Sequence, residues 1–564
     1  MSGRRFVVLA AAVGTAVALA LTWPLALHPA STVLDDDSFD AFQFVWNLWW
    51  VREALVDLHT NPFFTRYLFY PQGISLVLHT FSPVLGLASV PLQLLLPGGV
   101  VTAHNVLVMA APALVVVATG LLAREVTGDP WAALAAGLAA SVSTAMVWFL
   151  PTIYLTCTYL VAALLWAWWR MHSRRRARDV VLVLVLVAAL VFASQEYVTM
   201  ALAMLALDAV ARLTAARGLG LPQAWWRGTA VVAVVVAAGL WLLARVARAA
   251  QASPPPAAHL LLGSGYLAGF ASPPWLAPQV PAFWTVLYLG TAPLCLLALG
   301  LALGWRQTGY WMLAAMATAL MACGPYLGWH QVLLGDPRAA ASLSIDHPTP
   351  GHVPGPYFLV LRLVPLVRFV RSPWRWVAAT HLAVAVLAAV GLAQIRVRVA
   401  RPAMRAIVTG CALAAILLLG RLDAANLRAP VVAATVPDAY AVVRDDPEPA
   451  AVLELPAGLA NSGFAKLSSL YMFYQTSHRK YLLDGTVARL PVGLQPLYLR
   501  HFTTFADMPW LKYVVIHRNL VDITFPVSRA QMAEVEALLA TQASLVLRDG
   551  PIEVYRLATF RSAT

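Results

Sequence analysis

Residues 35–50 read DDDSFDAFQFVWNLWW. Four aspartates, Asp35, Asp36, Asp37 and Asp40, run directly into a stretch carrying Phe42, Phe44, Trp46, Trp49 and Trp50. Upstream lies an apolar run, Phe6 to Leu27, preceded by Arg4 and Arg5. About 20 apolar residues cross a bilayer, and flanking arginines mark the cytoplasmic side. The first run therefore crosses outward and the acids emerge on the outer face. Aromatic side chains favour the lipid–water interface, so a helix over 39–50 lying there would hold the carboxylates near headgroup depth.

Working outward from this stretch, the rest of the 564 residues agrees with a membrane reading. The chain is 60% hydrophobic and 12% charged, with a mean hydropathy of +0.72, too apolar for a soluble domain. The formal net charge of +13 rests almost wholly on arginine, since lysine occurs only at Lys466, Lys480 and Lys512. Most of it flanks apolar runs, the pattern of cytoplasmic loops, which excludes nucleic acid as the partner. Cys157, Cys295, Cys323 and Cys411 lie in apolar segments without metal-ligand spacing and read as small core residues. The first run is too long for a signal-peptide core and reads as an uncleaved anchor.

Basic loops fix the expected topology. Arg170 to Arg178 (RMHSRRRAR) must share a side with Arg4 and Arg5, so an even number of crossings separates them. Five apolar runs lie between: 6–27, 77–97, 102–123, 130–149 and 151–169. The run 77–97 holds Pro83, Pro91 and His79 and is assigned to the outer loop as a re-entrant segment, which needs protein or water around it. Further spans are expected at 180–195, 197–212, 228–248, 283–303, 309–328, 375–394 and 405–421. Long outer loops are expected near 251–281 and 329–373. Eleven crossings place the C-terminus outside. Beyond about residue 421 strand-like runs (AVLELP, KYVVIH, SLVLRD, IEVYRL) alternate with helix-like stretches such as 527–541, predicting an extracytoplasmic α/β domain over 422–564 behind a transmembrane domain over 1–421, whose first outer loop is 28–101.

Three outer features can carry chemistry. The acidic cluster either caps the following helix, since Asp is a favoured N-cap, or supplies carboxylates to a site. Arg362, Arg368, Arg371 and Arg375 in PYFLVLRLVPLVRFVRSPWRW lie on the outer side, where arginine is sparse. They read as a pocket for a lipid phosphate, through forked charge-assisted bonds, or as contacts to anionic headgroups. Gln195 and Glu196 tip an otherwise apolar hairpin, and an ionisable group beside a span is a candidate functional residue.

The Asp-bearing first outer loop, FVWNLWW at 44–50, NPFFTRYLFYPQG at 61–73, LLAREVTGDPWAALAAG at 121–137 and PLVRFVRSPWRW at 365–376 together resemble the GT-C superfamily of polytopic glycosyltransferases, in a divergent bacterial branch. The resemblance covers residues 1–421. It implies about 11 transmembrane helices in the inner membrane and an inverting hexosyl or pentosyl transfer at the outer face. The donor would be a polyprenyl-phosphate sugar and the acceptor a glycan, lipid or protein. It carries the family's loop aspartate onto Asp37 and Asp40 as catalytic base, with Glu196 as a second acid and Asp36 and Asp37 as ligands of a divalent metal, Mg or Mn. The four outer arginines would hold the donor phosphate. A lipid or lipid-linked-glycan transporter, or a non-catalytic envelope assembly factor of the same fold, is the alternative. Transport would favour broken helices with paired acids and bases at mid-membrane, whereas this chain concentrates charge at the outer face.

Overall fold

The computed structural model of the chain describes all residues except 36–37, 78, 216–227, 235, 240, 242–244, 246–256, 277–284, 304–307, 329–341, 365–366, 368–371, 459–465, 492–493, 495–496, 523–525 and 562–564. The principal helices are α1 (Gly3–Thr22), α2 (Asp40–Arg52), α3 (Pro83–Leu95), α4 (Gly99–Thr127), α5 (Pro130–Ser141), α6 (Thr144–Phe149), α7 (Thr158–Arg174), α8 (Ala177–Ala193) and α9 (Gln195–Ala215). They continue with α10 (Thr291–Leu303), α11 (Gly309–Ala322), α12 (Pro356–Leu363), α13 (Val377–Arg398), α14 (Pro402–Asp423), α15 (Leu467–His478) and α16 (Pro526–Gln542). The described residues divide into two compact units, one lying within 1–23, 108–245 and 254–429, the other within 24–107 and 430–564.

The first unit is a helical bundle. Among the described residues five helices of the chain are long and apolar enough to cross a membrane, including α1, α4, α9 and α14, and several shorter apolar helices accompany them. The fifth, over Pro373–Arg398, is buried along its whole apolar length and forms the centre of the bundle. It meets α10 where Gly391 and Gly300 face each other, and a Cβ on Gly391 would strike the Leu296 carbonyl, the small-residue contact that lets two helix backbones approach closely. The apolar run 130–149 is not one helix. It breaks after α5, and Ser143 restarts it by accepting the Met146 N–H at 3.2 Å.

Polar contacts gather the basic loop segments of this unit on one face. Arg124 donates to the Met1 carbonyl at 2.8 Å, Arg174 pairs with Glu125 at 3.5 Å, and Arg396 Nε donates to Asp129 Oδ2 at 2.7 Å. Four segments expected on the cytoplasmic side thus touch one another.

In the second unit every residue of α2 from Ala41 to Val51 is buried. The sequence suggested an aromatic face turned to lipid headgroups; instead Phe42, Trp46, Trp49 and Trp50 form a core with Tyr67, Tyr471 and Phe473. Aromatic side chains can be covered by headgroups or by protein; here protein supplies the cover, and Gln43 and Asn47 of the same helix donate to Thr80 Oγ1 at 3.0 Å and to the Thr80 carbonyl at 3.1 Å. The re-entrant segment folds as α3, whose 13 residues reach only about 20 Å at 1.5 Å each, short of the ~30 Å hydrocarbon thickness. It lies on α2, with Gln93 Nε2 donating to the Leu48 carbonyl at 2.9 Å. A Cβ on Gly86 would collide with Val51, so glycine sets how closely the two helices approach.

The unit also holds small sheets and one larger one. Strand β1 (Thr32–Leu34) pairs antiparallel with β4 (Val431–Ala433), and β2 (Phe64–Thr65) with β3 (Ile74–Ser75). Strands β5 (Ala451–Leu455), β6 (Tyr481–Leu482), β7 (Leu511–His517), β8 (Ala543–Asp549) and β9 (Ile552–Leu557) form one sheet in the order β6-β5-β7-β9-β8. The first three are parallel and the last two antiparallel. Alternating residues of β5 and β7 pack on opposite sides: Leu453, Leu455, Val514 and Ile516 lie with Met532, Val535 and Leu539 of α16. Val452, Tyr513 and Val515 join the core that holds α15 and α2.

Candidate functional site

The acidic stretch separates into a buried cap and an accessible acid. Asp35 is 1% exposed; its Oδ2 accepts the Phe39 N–H at 3.0 Å and its Oδ1 the Ala41 N–H at 3.5 Å. It satisfies the free N–H groups at the head of α2. Asp40 opens the helix, its backbone N–H bonded to Ser38 Oγ at 3.2 Å. Its side chain is 25% exposed and its Oδ1 pairs with Lys466 Nζ. Asp36 and Asp37 lie outside the described residues, and with them both metal-ligand candidates and one of the two base candidates. Among the described residues no three His, Cys, Asp or Glu side chains are grouped as a metal centre requires.

Around this pair the unit is tightly specified. Lys466 immediately precedes α15, and its backbone N–H donates to the Ser38 carbonyl at 3.1 Å. The helices α2 and α15 are joined by Trp46 Nε1 donating to Gln475 Oε1 at 2.7 Å and by Phe42 against Phe473, ring centroids 5.1 Å apart. His79 is 5% exposed. Its Nδ1 accepts the Ala488 N–H at 3.0 Å, which places the proton on Nε2, within 3.2 Å of Asn47 Oδ1. Burial pushes its pKa down to about 3, Lys466 adds to the depression and Asp40 opposes it. His79 is thus a neutral structural imidazole. Ser468, in the first turn of α15, donates to Asp484 at 2.6 Å. Burial raises the Asp484 carboxyl above its ordinary range, against the bond from Ser468.

In the helical unit two of the other candidates meet each other. Glu196, at the head of α9, accepts from Arg375 Nη1 at 2.5 Å, and the same nitrogen donates to the Tyr154 hydroxyl at 2.8 Å. The two charged side chains are 15% and 12% exposed. Arg362, by contrast, is exposed on α12, lies over the Phe358 ring at 4.9 Å and donates to the Asp346 carbonyl at 2.5 Å. Arg368 and Arg371 lie outside the described residues. Lys466, Tyr154 and Asp484 were not singled out from the sequence. Lysine's scarcity was the one available signal for Lys466; for Tyr154 and Asp484 there was none.

No family model and no curated protein matches the sequence. Solved structures do. Arabinofuranosyltransferase AftD from Mycobacteria superposes with a TM-score of 0.55 at 16% identity over 99% of this chain, and the chain spans 40% of that structure's length. The Archaeoglobus fulgidus oligosaccharyltransferase matches with a TM-score of 0.46 at 11% identity, over 93% of this chain and 72% of its own. ArnT from Cupriavidus metallidurans, bound to undecaprenyl phosphate, matches at 0.44 and 12% identity over the full length of both chains. The likeness to AftD shows the fold: over 99% of its length the chain is folded as part of that arabinofuranosyltransferase is.

Proposed function

We propose that this protein is a membrane glycosyltransferase that moves a hexose or pentose from a polyprenyl-phosphate donor to an acceptor hydroxyl at the outer face of the inner membrane. One observation carries the reading: in a chain of AftD-like fold, the first-loop acids divide so that Asp35 is consumed as a helix cap while Asp40 keeps a carboxylate open to solvent.

The chemistry follows from that carboxylate. The acceptor oxygen attacks the anomeric carbon from the face opposite the phosphate, the new C–O bond forms as the bond to the phosphate oxygen breaks, and the leaving polyprenyl phosphate keeps the electron pair. The acceptor proton passes to Asp40. General-base help of this kind typically contributes about 10²- to 10⁴-fold. Negative charge developing on the leaving phosphate calls for fixed cations, the role proposed for Arg362, Arg368, Arg371 and Arg375. A divalent cation at Asp36 and Asp37 belongs to the same proposal and is tested by loss of transfer on chelation and its return on adding Mg or Mn.

The decisive experiment assays membranes containing the wild type or Asp40→Asn with a panel of radiolabelled polyprenyl-phosphate pentoses and hexoses. Transfer by the wild type that disappears in the variant supports the reading. An Asp40→Asn protein with wild-type transfer would overturn Asp40 as the base.

One feature speaks for the transport alternative. The break between α5 and α6 borders a cavity lined by Thr119, Ser143, Thr158 and His381, inside the apolar bundle. Its lining contains no carboxylate to pair with the imidazole, and the transferase reading is the stronger.

A further inference from the structure

We propose that Lys466 is a positioning residue for the reaction: its ammonium holds the Asp40 carboxylate at the head of α2 in the orientation that receives the acceptor's proton. The inference rests on the reading of Asp40 as base.

Three observations lead to it. First, Asp40 has no helix-end duty, because Asp35 already accepts from the Phe39 and Ala41 N–H groups. Second, solvent reaches the pair. Its side chains are 23% and 25% exposed, so water screens part of the attraction and the carboxylate stays within reach of an acceptor. Third, both partners stand on fixed elements. The Lys466 N–H is tied to the Ser38 carbonyl at 3.1 Å, and α2 and α15 are locked by the Trp46–Gln475 bond and the Phe42–Phe473 contact. Core packing therefore sets where the ammonium meets the carboxylate, which is how a reactive group is held to fractions of an ångström.

The chemistry of the pair suits this role. A lysine ammonium is a compact charge with rotatable donors; here it engages Oδ1, leaving Oδ2 to take the proton. His79 does not compete as a cation, since its Nδ1 accepts a backbone N–H from Ala488 and the ring is neutral. The pair joins residues 426 positions apart, so the segment after β5 takes part in presenting the first-loop acid.

The test uses the full chain in detergent with the polyprenyl-phosphate sugar panel, following kcat, donor KM and thermal midpoint for Lys466→Met, Lys466→Arg and Asp40→Asn. A base misplaced by about 1 Å costs on the order of 10²-fold. Lys466→Met is expected to lower kcat by about 10- to 100-fold while donor KM and thermal midpoint stay near wild type, and Lys466→Arg is expected to restore most of the loss. A Lys466→Met protein with wild-type kcat overturns the inference, and if Asp40→Asn is inert beside it the base reading stands. A raised KM with unchanged kcat makes Lys466 a donor-binding group and also overturns it. Wild-type kcat in Asp40→Asn overturns both.

Discussion

Arg375 donates to Glu196 at 2.5 Å and, through the same nitrogen, to the Tyr154 hydroxyl at 2.8 Å. This cation was a candidate for donor phosphate and this acid a candidate for catalysis, and in the helical unit each has the other as a partner. With both side chains mostly buried, removing one leaves an uncompensated charge, which costs about 3–5 kcal/mol. Arg375→Ala is therefore expected to destabilise the protein by about 3 kcal/mol or more, Glu196→Gln by less because an amide still accepts, and Glu196→Gln/Arg375→Met by less than the two single effects added. Thermal unfolding in detergent measures all three. Additive losses would show that the pair is not coupled. Polyprenyl-phosphate binding is best compared between the double variant and Glu196→Gln, where a folding defect does not mask loss of the guanidinium.

Two buried histidines give the second unit an acid-sensitive core. Burial holds the pKa of both His79 and His478 at about 3, aided by Lys466 for the first and Lys480 for the second. An unfolded histidine titrates near 6.5, so the unfolded state binds protons that the folded state refuses. Stability is full above about pH 6.5 and falls as pH drops toward 3, by about 1.4 kcal/mol per pH unit for each histidine. Thermal midpoints between pH 7 and pH 5 are expected to decline steeply. His79→Gln, which can still accept from Ala488 and donate to Asn47, is expected to lessen the slope by the His79 contribution, about 1.4 kcal/mol per pH unit. An unchanged slope would mean that His79 does not stay neutral in the fold.

Gln475 ties sequence-distant parts of the second unit together. It accepts from Trp46 Nε1 at 2.7 Å and donates to the carbonyls of Tyr67 and Lys480, each at 2.7 Å, and it is wholly buried. Gln475→Leu is of similar size but strands the Trp46 N–H and the Lys480 carbonyl, while the Tyr67 carbonyl keeps the Leu482 N–H at 2.8 Å. At about 1–3 kcal/mol for each buried unsatisfied group, a loss of about 2 kcal/mol or more is expected, read as a lower thermal midpoint. Trp46→Phe in the Gln475→Leu background removes the stranded N–H and is expected to recover part of the loss.

Periodicity and hydropathy made several elements legible because they are local. The apolar runs that became α1, α4, α9, α13 and α14 carry their signal within about 20 residues, and the runs AVLEL, KYVVIH, SLVLRD and IEVYRL are strands. The break at Ser143 was not legible, since one serine in an alanine-rich run carries little signal. Nor was the burial of α2. Its aromatics fit a lipid interface or a protein core equally well, and the choice rests on partners such as Gln475, 429 residues away from Trp46. At the site, the preference of Asp for helix ends foretold a cap without saying which aspartate makes it. Charge parity put Glu196 and Arg375 on one side of the membrane, but their pairing across 179 residues, like that of Asp40 with Lys466, has no local signature.

The helical unit supports a prediction about membrane sidedness. Met1, Arg124, Glu125, Asp129, Arg174 and Arg396 are joined by polar contacts. Tyr154, Glu196 and Arg375 meet in a second group. Between the groups run α7, from Thr158 to Arg174, and the hairpin of α8 and α9, whose connection lies at Ser194, so the groups occupy opposite ends of the bundle. The first is rich in arginine, and short basic loops stay in the cytoplasm. Single-cysteine variants on a background lacking Cys157, Cys295, Cys323 and Cys411, treated in intact cells with a membrane-impermeant maleimide, are expected to label at residue 195 but not at residue 174. Labelling at 174 with none at 195 would invert the bundle. It would also move Glu196 and Arg375 to the cytoplasmic side, where an outer-face donor phosphate does not reach them.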